Sequence, residues 1–158
     1  MAAELIEAGV NVNAVYRRLY EDMPFNKLEL LGRALANIER FDDGRLTFTI
    51  LHRADFEAAV AEESYSEGVI DHLRSVQGTK VAAFARELET ADDDAEPRRK
   101  KVSLRATDGT VDVSMIARAG GGGGHRQAAG FTTELSEPDL VVFLREQLSL
   151  QMEPLASA

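Results

Sequence analysis

From Val81 to Leu88 the chain reads Val-Ala-Ala-Phe-Ala-Arg-Glu-Leu, apolar at consecutive rather than alternate positions. A strand of this kind is buried on both faces and belongs inside a sheet, not at its edge. Both faces of that sheet must then be covered. Residues 45–52 alternate instead, with Leu46, Phe48 and Ile50 against Arg45, Thr47 and Thr49, the signature of a half-buried strand. Val102, Leu104 and Ala106 alternate with Ser103 and Arg105, and 129–135 reads as a final strand. Helical patterns lie between these runs. The interleaving predicts an α/β (α+β) fold, a mixed central sheet of about five strands flanked by helices and preceded by a helical arm.

The helices have start and stop signals of their own. Val12, Val15, Tyr16 and Leu19 recur at helical spacing over 12–22. Asn26 with Glu29 three residues on has the form of a capping box, opening a long helix with Leu28, Leu31, Leu35, Ile38 and Phe41 on one face and Leu30 and Ala34 beside them. Asp42-Asp43-Gly44 closes it. That helix either buttresses a sheet or bridges two domains. Asp55 is placed to cap a short helix through Val60, and Ser66 a second near 67–75, with Val69, Ile70, Leu73 and Val76 inward. Asp71-His72 within it reads as surface, a metal role being the sharper alternative. Asp112 or Ser114 starts a helix that runs into Gly120 as its C-cap. Ser136-Glu137-Pro138-Asp139 begins the last helix, whose inner face is Leu140, Val141, Phe143, Leu144 and Leu148.

Composition narrows the function classes. No apolar run approaches the length that crosses a bilayer, and the N-terminus lacks a signal-peptide pattern. With no cysteine, disulfides and thiolate metal sites are excluded, in keeping with a cytoplasmic protein. A net charge of −9 makes the chain a poor non-specific binder of long nucleic acid, while leaving room for a local site for a short anion. The acidic block at 89–97 reads as a solvated turn, or as a divalent-metal site without the ligand spacing of a known loop. No complete hydrolytic centre is visible, and His52, His72 and His125 are too scattered to form a metal motif.

Two features converge on ligand binding. Gly120 to Gly124 is an unbroken glycine run followed by His125-Arg126-Gln127-Ala128-Ala129-Gly130. Five glycines together are costly to order, and no structural reason for them is evident in the sequence. Their amides can form a concavity for an anion, with His125 and Arg126 at its rim; a flexible linker is the alternative. Arg105, on the polar side of its strand with Ser103, is suited to a bidentate pair with phosphate or to a surface ion pair.

Gly121–Phe131, GGGGHRQAAGF, resembles the hallmark of the DHH-associated domain, the C-terminal domain of DHH-family phosphoesterases. Ser66 through Gly78 resembles the family's helix before the central strand. Val102-Ser103-Leu104-Arg105 and Val111–Ala117 resemble its Ser-x-Arg strand and the following short helix. Within the family the chain is most similar to the oligoribonuclease and phosphoadenosine-phosphate phosphatase branch.

The resemblance implies a division of labour. A DHH domain binds two Mn²⁺ ions through Asp and His, including the Asp-His-His motif, and activates water for attack on a phosphoester. The associated domain closes over the nucleotide. Carried over by position, the Gly122, Gly123 and Gly124 amides and His125 meet phosphate, Arg105 clamps phosphate or base with Ser103 in support, and Arg126 stands nearby. Residues 1–24 are then the helical tail of an N-terminal catalytic domain, 25–43 a connecting helix, and 44–158 the substrate-binding domain. The Asp-His-His motif is absent, since Leu73 follows Asp71-His72. The implied function is nucleotide or short-oligonucleotide binding without catalytic residues or metal in this chain. Its partners would be short RNA, a dinucleotide or phosphoadenosine phosphate, and its own N-terminal DHH domain, with a homodimer among the assemblies allowed and no membrane. The rival reading is a stand-alone RNA- or partner-binding module.

Overall fold

The computed structural model describes residues 6–89 and 98–152, and most of the acidic block lies outside them. Six strands form one sheet: β1 (Glu39–Phe41), β2 (Leu46–Leu51), β3 (Val81–Glu87), β4 (Lys100–Ala106), β5 (Gly123–His125) and β6 (Ala128–Thr133). Their order across the sheet is β1-β2-β3-β4-β6-β5. Only β2 and β3 run parallel; every other pair is antiparallel. The helices are α1 (Val12–Tyr20), α2 (Phe25–Ala36), α3 (Arg53–Ala59), α4 (Val69–Arg74), α5 (Val113–Ala119) and α6 (Glu137–Met152), with a 3₁₀ turn at Glu63–Ser66.

The doubly apolar run occupies an interior position, as its composition requires. Val81, Ala83 and Ala85 of β3 enter a core with Leu104, Phe131, Ile116, Leu140, Leu144 and Leu148. Ala82 and Phe84 enter a second core, with Leu30, Ala34, Phe56, Ile70 and Leu73. So α5 and α6 cover one face and α2, α3 and α4 cover the other. The predicted inner face of α6 holds, with Val141 and Phe143 half-buried at its border.

Three local expectations are corrected. β2 is buried throughout rather than on one face. Its polar side is tolerated because each hydroxyl finds an internal partner: Thr47 Oγ1 and Thr79 Oγ1 are 2.7 Å apart, and Thr49 Oγ1 donates to the Ala34 carbonyl at 2.7 Å. Second, α2 ends at Ala36, and Glu39–Phe41 is an edge strand paired with β2. Asp42, Asp43 and Gly44 form the hairpin turn, at φ 53°, 58° and 81°. The buried stripe of α2 is Leu30 and Ala34, leaving Leu28 and Leu35 exposed. Third, the caps differ. Pro24 occupies the N-cap of α2, and the Asn26 amide donates instead to the Val60 carbonyl at 2.7 Å. Gly68, not Ser66, precedes α4, and Asp55 lies one turn inside α3, accepting the His52 N–H at 2.9 Å.

Glu87 ties the far end of the sheet to two helices. Its carboxylate accepts the Arg53 N–H at 2.9 Å and lies 3.1 Å from His52 Nδ1, while His52 Nε2 is 3.6 Å from a Glu137 oxygen. Burial pushes the Glu87 pKa up, but the bonds from Arg53 and His52 and the nearby positive charge prevail and hold it below 4.5. A carboxylate depressed on folding adds stability at higher pH and loses it as pH falls through the depressed value. Glu87→Gln is therefore expected to flatten the loss of stability in acid, read as urea midpoints at about pH 5 and about pH 3. An unchanged slope would show that Glu87 does not contribute.

Candidate functional site: an open sheet face beside the glycine run

The glycine run is folded, not slack. Its first amides close the end of α5: Gly120 N–H donates to Ile116 O, Gly121 N–H to Arg118 O at 3.0 Å, and Gly122 N–H to Ala117 O at 2.8 Å. These bonds satisfy carbonyls that a helix end leaves without intrahelical partners. The Gly122 amide is therefore engaged within the fold, a correction to the cradle that assigned it to an anion. Gly123–His125 then forms edge strand β5, joined to β6 by Arg126-Gln127.

Most of these glycines have steric reasons. A Cβ on Gly122 would lie on the Gly130 carbonyl oxygen and 2.5 Å from the Phe131 Cβ. At Gly124, with φ 142°, it would stand 2.5 Å from the Ala129 Cα. Gly123 differs: a Cβ there would meet nothing within 4 Å. Gly121 is open as well, but its φ of 80° favours glycine, so within β5 it is Gly123 whose missing side chain leaves open space.

Strand register decides what shares that space. Successive side chains on a strand alternate faces, and the apolar set Val102, Leu104 and Ala106 points into the core beneath α5 and α6. Ser103 and Arg105 therefore point to the other face. There α4 packs over β3 and β4, while β6 and β5 contribute nothing to the second core. Arg105 pairs with Ala128, and Ala128 with His125; Ser103 pairs with Gly130, and Gly130 with Gly123. Two parallel rows thus cross the uncovered strands. Arg105 and His125 flank the small Ala128, with backbones about 10 Å apart across two strand spacings. His125 is exposed and Arg105 half-exposed. The hydrogen bond given for the Arg105 guanidinium goes to the neighbouring Leu104 carbonyl at 3.0 Å. No described carboxylate neutralises it, in a chain with 27 acidic residues.

Arg126 is employed elsewhere. Its Nη2 donates to the Gly109 carbonyl at 2.7 Å, and Nη1 lies 3.5 Å from an Asp112 oxygen. With the Val113 N–H bonded to the Arg126 carbonyl at 3.0 Å, this residue fastens the hairpin to the start of α5. Asp71 and His72 are exposed on α4. Among the described residues no group of three or more His, Cys, Asp or Glu side chains is placed to hold a metal. No described helix is long and apolar enough to cross a membrane. Ala128 and Gly130, in register with Arg105 and Ser103, share their face of the sheet and were not among the candidate residues expected from the sequence. The sequence signal for them is their smallness and their alternation with the buried Ala129 and Phe131.

The DHHA1 domain family matches residues 55–149, from the first turn of α3 almost to the end of α6. The chain belongs to the DHHA1 family. This DHHA1 domain is the DHH-associated domain of the DHH phosphoesterases. It is 34% identical over 132 residues to the bifunctional oligoribonuclease and PAP phosphatase NrnA of Thermus thermophilus, a match covering 84% of this chain and 36% of that protein. The chain thus spans little more than a third of this curated relative's length. An exopolyphosphatase-related protein from Bacteroides fragilis has the same fold, with a TM-score of 0.78 at 23% identity over 94% of this chain and 42% of that one.

Proposed function

We propose that this DHHA1 domain holds the nucleotide substrate of a Mn²⁺-dependent phosphoesterase, a 3′–5′ oligoribonuclease, a phosphoadenosine-phosphate phosphatase or both. The observation that carries the reading is the row Arg105–Ala128–His125, a cation that no described carboxylate neutralises and an imidazole, on strands to which the second core does not extend. The activity of the Thermus relative supports the substrate class.

Each residue has a defined task in this reading. The planar guanidinium of Arg105 grips a phosphate through two parallel N–H donors. His125 donates a ring N–H to the same or the adjoining phosphate. Ser103 adds a hydroxyl, and Gly123 leaves the backbone accessible to the ligand. Manganese would supply the activated water from a DHH domain that carries its ligands, since the described residues here provide no such set. This chain's part is to bind and orient the nucleotide. Its acidic surface discourages long polyanions, so short ligands are favoured.

Calorimetric titration of the chain with 5′-phosphorylated diadenylate, and separately with 3′-phosphoadenosine 5′-phosphate, is expected to show saturable binding that weakens as salt rises. Absence of binding to both would overturn the reading. Incubated with Mn²⁺ and a short oligoribonucleotide, the chain alone is expected to release no mononucleotide; release would show a catalytic centre within it.

A further inference from the structure

The open face does not end at the Ser103 row. Two residues up β4 from Ser103 stands Lys101, in register with Thr132 of β6 and Arg86 of β3. Parity places all three on the face of Ser103 and Arg105. Arg86 is engaged: its guanidinium pairs with Glu63 at 2.5 Å, and its side chain is 16% exposed. Lys101 and Thr132 are both exposed, and no described residue pairs with the Lys101 ammonium. A third row therefore continues the first two in a straight line, with a second cation that no described residue neutralises about 13 Å along β4 from Arg105.

We propose that Lys101, with Thr132 beside it, holds a further phosphate of a bound oligonucleotide, so that the domain distinguishes ligands of three or more nucleotides from dinucleotides. This rests on the nucleotide reading of the Arg105 row. Each row step is about 7 Å along the strand, a spacing an extended single strand matches from one phosphate to the next. A phosphate on Arg105 and His125 puts its neighbour over Ser103, Gly130 and Gly123, where the absent side chains leave room. The next one reaches Lys101. A dinucleotide anchored at the first row stops short of it. Lysine suits this place: a mobile point charge on a flexible stem tolerates any base sequence, whereas the arginine fork at the first row demands a fixed phosphate geometry.

The test compares 5′-phosphorylated diadenylate with 5′-phosphorylated pentaadenylate on the chain and its Lys101→Ala and Arg105→Ala variants, over a range of salt. Lys101→Ala is expected to weaken pentaadenylate about fivefold and to reduce the slope of log affinity against log salt by about 0.7, the loss of one single-strand phosphate contact. Diadenylate affinity should stay within about twofold. Thr132→Ala should act in the same direction, more weakly. Arg105→Ala should weaken both ligands. If Lys101→Ala alters both ligands equally, or neither, while Arg105→Ala weakens both, the third row plays no part and the nucleotide reading stands. If Arg105→Ala changes neither, the reading fails and the inference falls with it.

Discussion

Gly122→Ala is expected to destabilise the domain by about 3 kcal/mol, and Gly123→Ala, one residue on, to leave stability within about 0.5 kcal/mol of the parent. A methyl group at Gly122 would overlap the Gly130 carbonyl oxygen and press on Phe131, whose ring is fixed in the core by an edge-on contact with Phe143 at 5.6 Å between centroids. The atoms in the way are backbone and a buried side chain. Relief therefore requires the β5–β6 pairing or the end of α5 to move. At Gly123 the methyl enters open space and the backbone is not in the left-handed region. That methyl stands beside Gly130 and Ser103 on the proposed ligand face. Gly123→Ala should accordingly fold normally and bind diadenylate several-fold more weakly, by obstruction. Urea unfolding of both variants, with a titration of Gly123→Ala, checks the pair. Equal stability for the two would mean that the run is not packed as described. Unchanged affinity in Gly123→Ala would remove this strand from the ligand site.

Arg105→Ala is expected to lower diadenylate affinity about twentyfold, equivalent to about 1.8 kcal/mol, near the low end for hydrogen bonds to a charged group because the side chain is partly solvated. Arg105→Lys should restore only part of the loss, since an ammonium keeps the charge but not the paired donors. Neither change should shift the urea midpoint greatly: the guanidinium's bond within the fold is to an adjacent carbonyl, and no described ion pair is lost. A lysine variant that binds as tightly as the parent would show that charge alone suffices. A large stability loss in either variant would recast Arg105 as structural.

The contrast between Arg105 and Arg126 shows how far local sequence reaches. Both arginines stand near the glycine motif and both are candidate phosphate ligands by residue type. They separate only when the chain is folded. The Gly109 carbonyl and Asp112 meet Arg126 because the loop before α5 folds back to the β5–β6 turn. Arg105 meets no described acid; its guanidinium bonds only to the adjacent Leu104 carbonyl among the described residues. The hydroxyls of β2 give the same lesson. Alternation placed Thr47 and Thr49 at a surface, but both are buried, and their partners Thr79 and Ala34 come from separate parts of the chain. Periodicity reports polarity, and a satisfied hydroxyl is as compatible with burial as with water.

By itself the sequence determined the interior strand, because the five consecutive apolar residues Val81 to Ala85 have no stable placement except between two covered faces. It determined α6, whose cap, early proline and apolar stripe agree at every level. It also singled out the glycine-histidine motif, with Ser103 and Arg105, as the candidate ligand site. Tertiary structure alone decided why the glycines are there. Gly122 and Gly124 are required by backbones that approach from Gly130 and Ala129, a constraint set by the pairing of β5 with β6 and invisible in a linear run. It also decided that the amides of Gly120, Gly121 and Gly122 end α5. Finally, strand register aligned Arg105 with His125, and Ser103 with Gly123. Residues twenty positions apart in the chain became neighbours on one face because β6 lies between their strands and carries small side chains there.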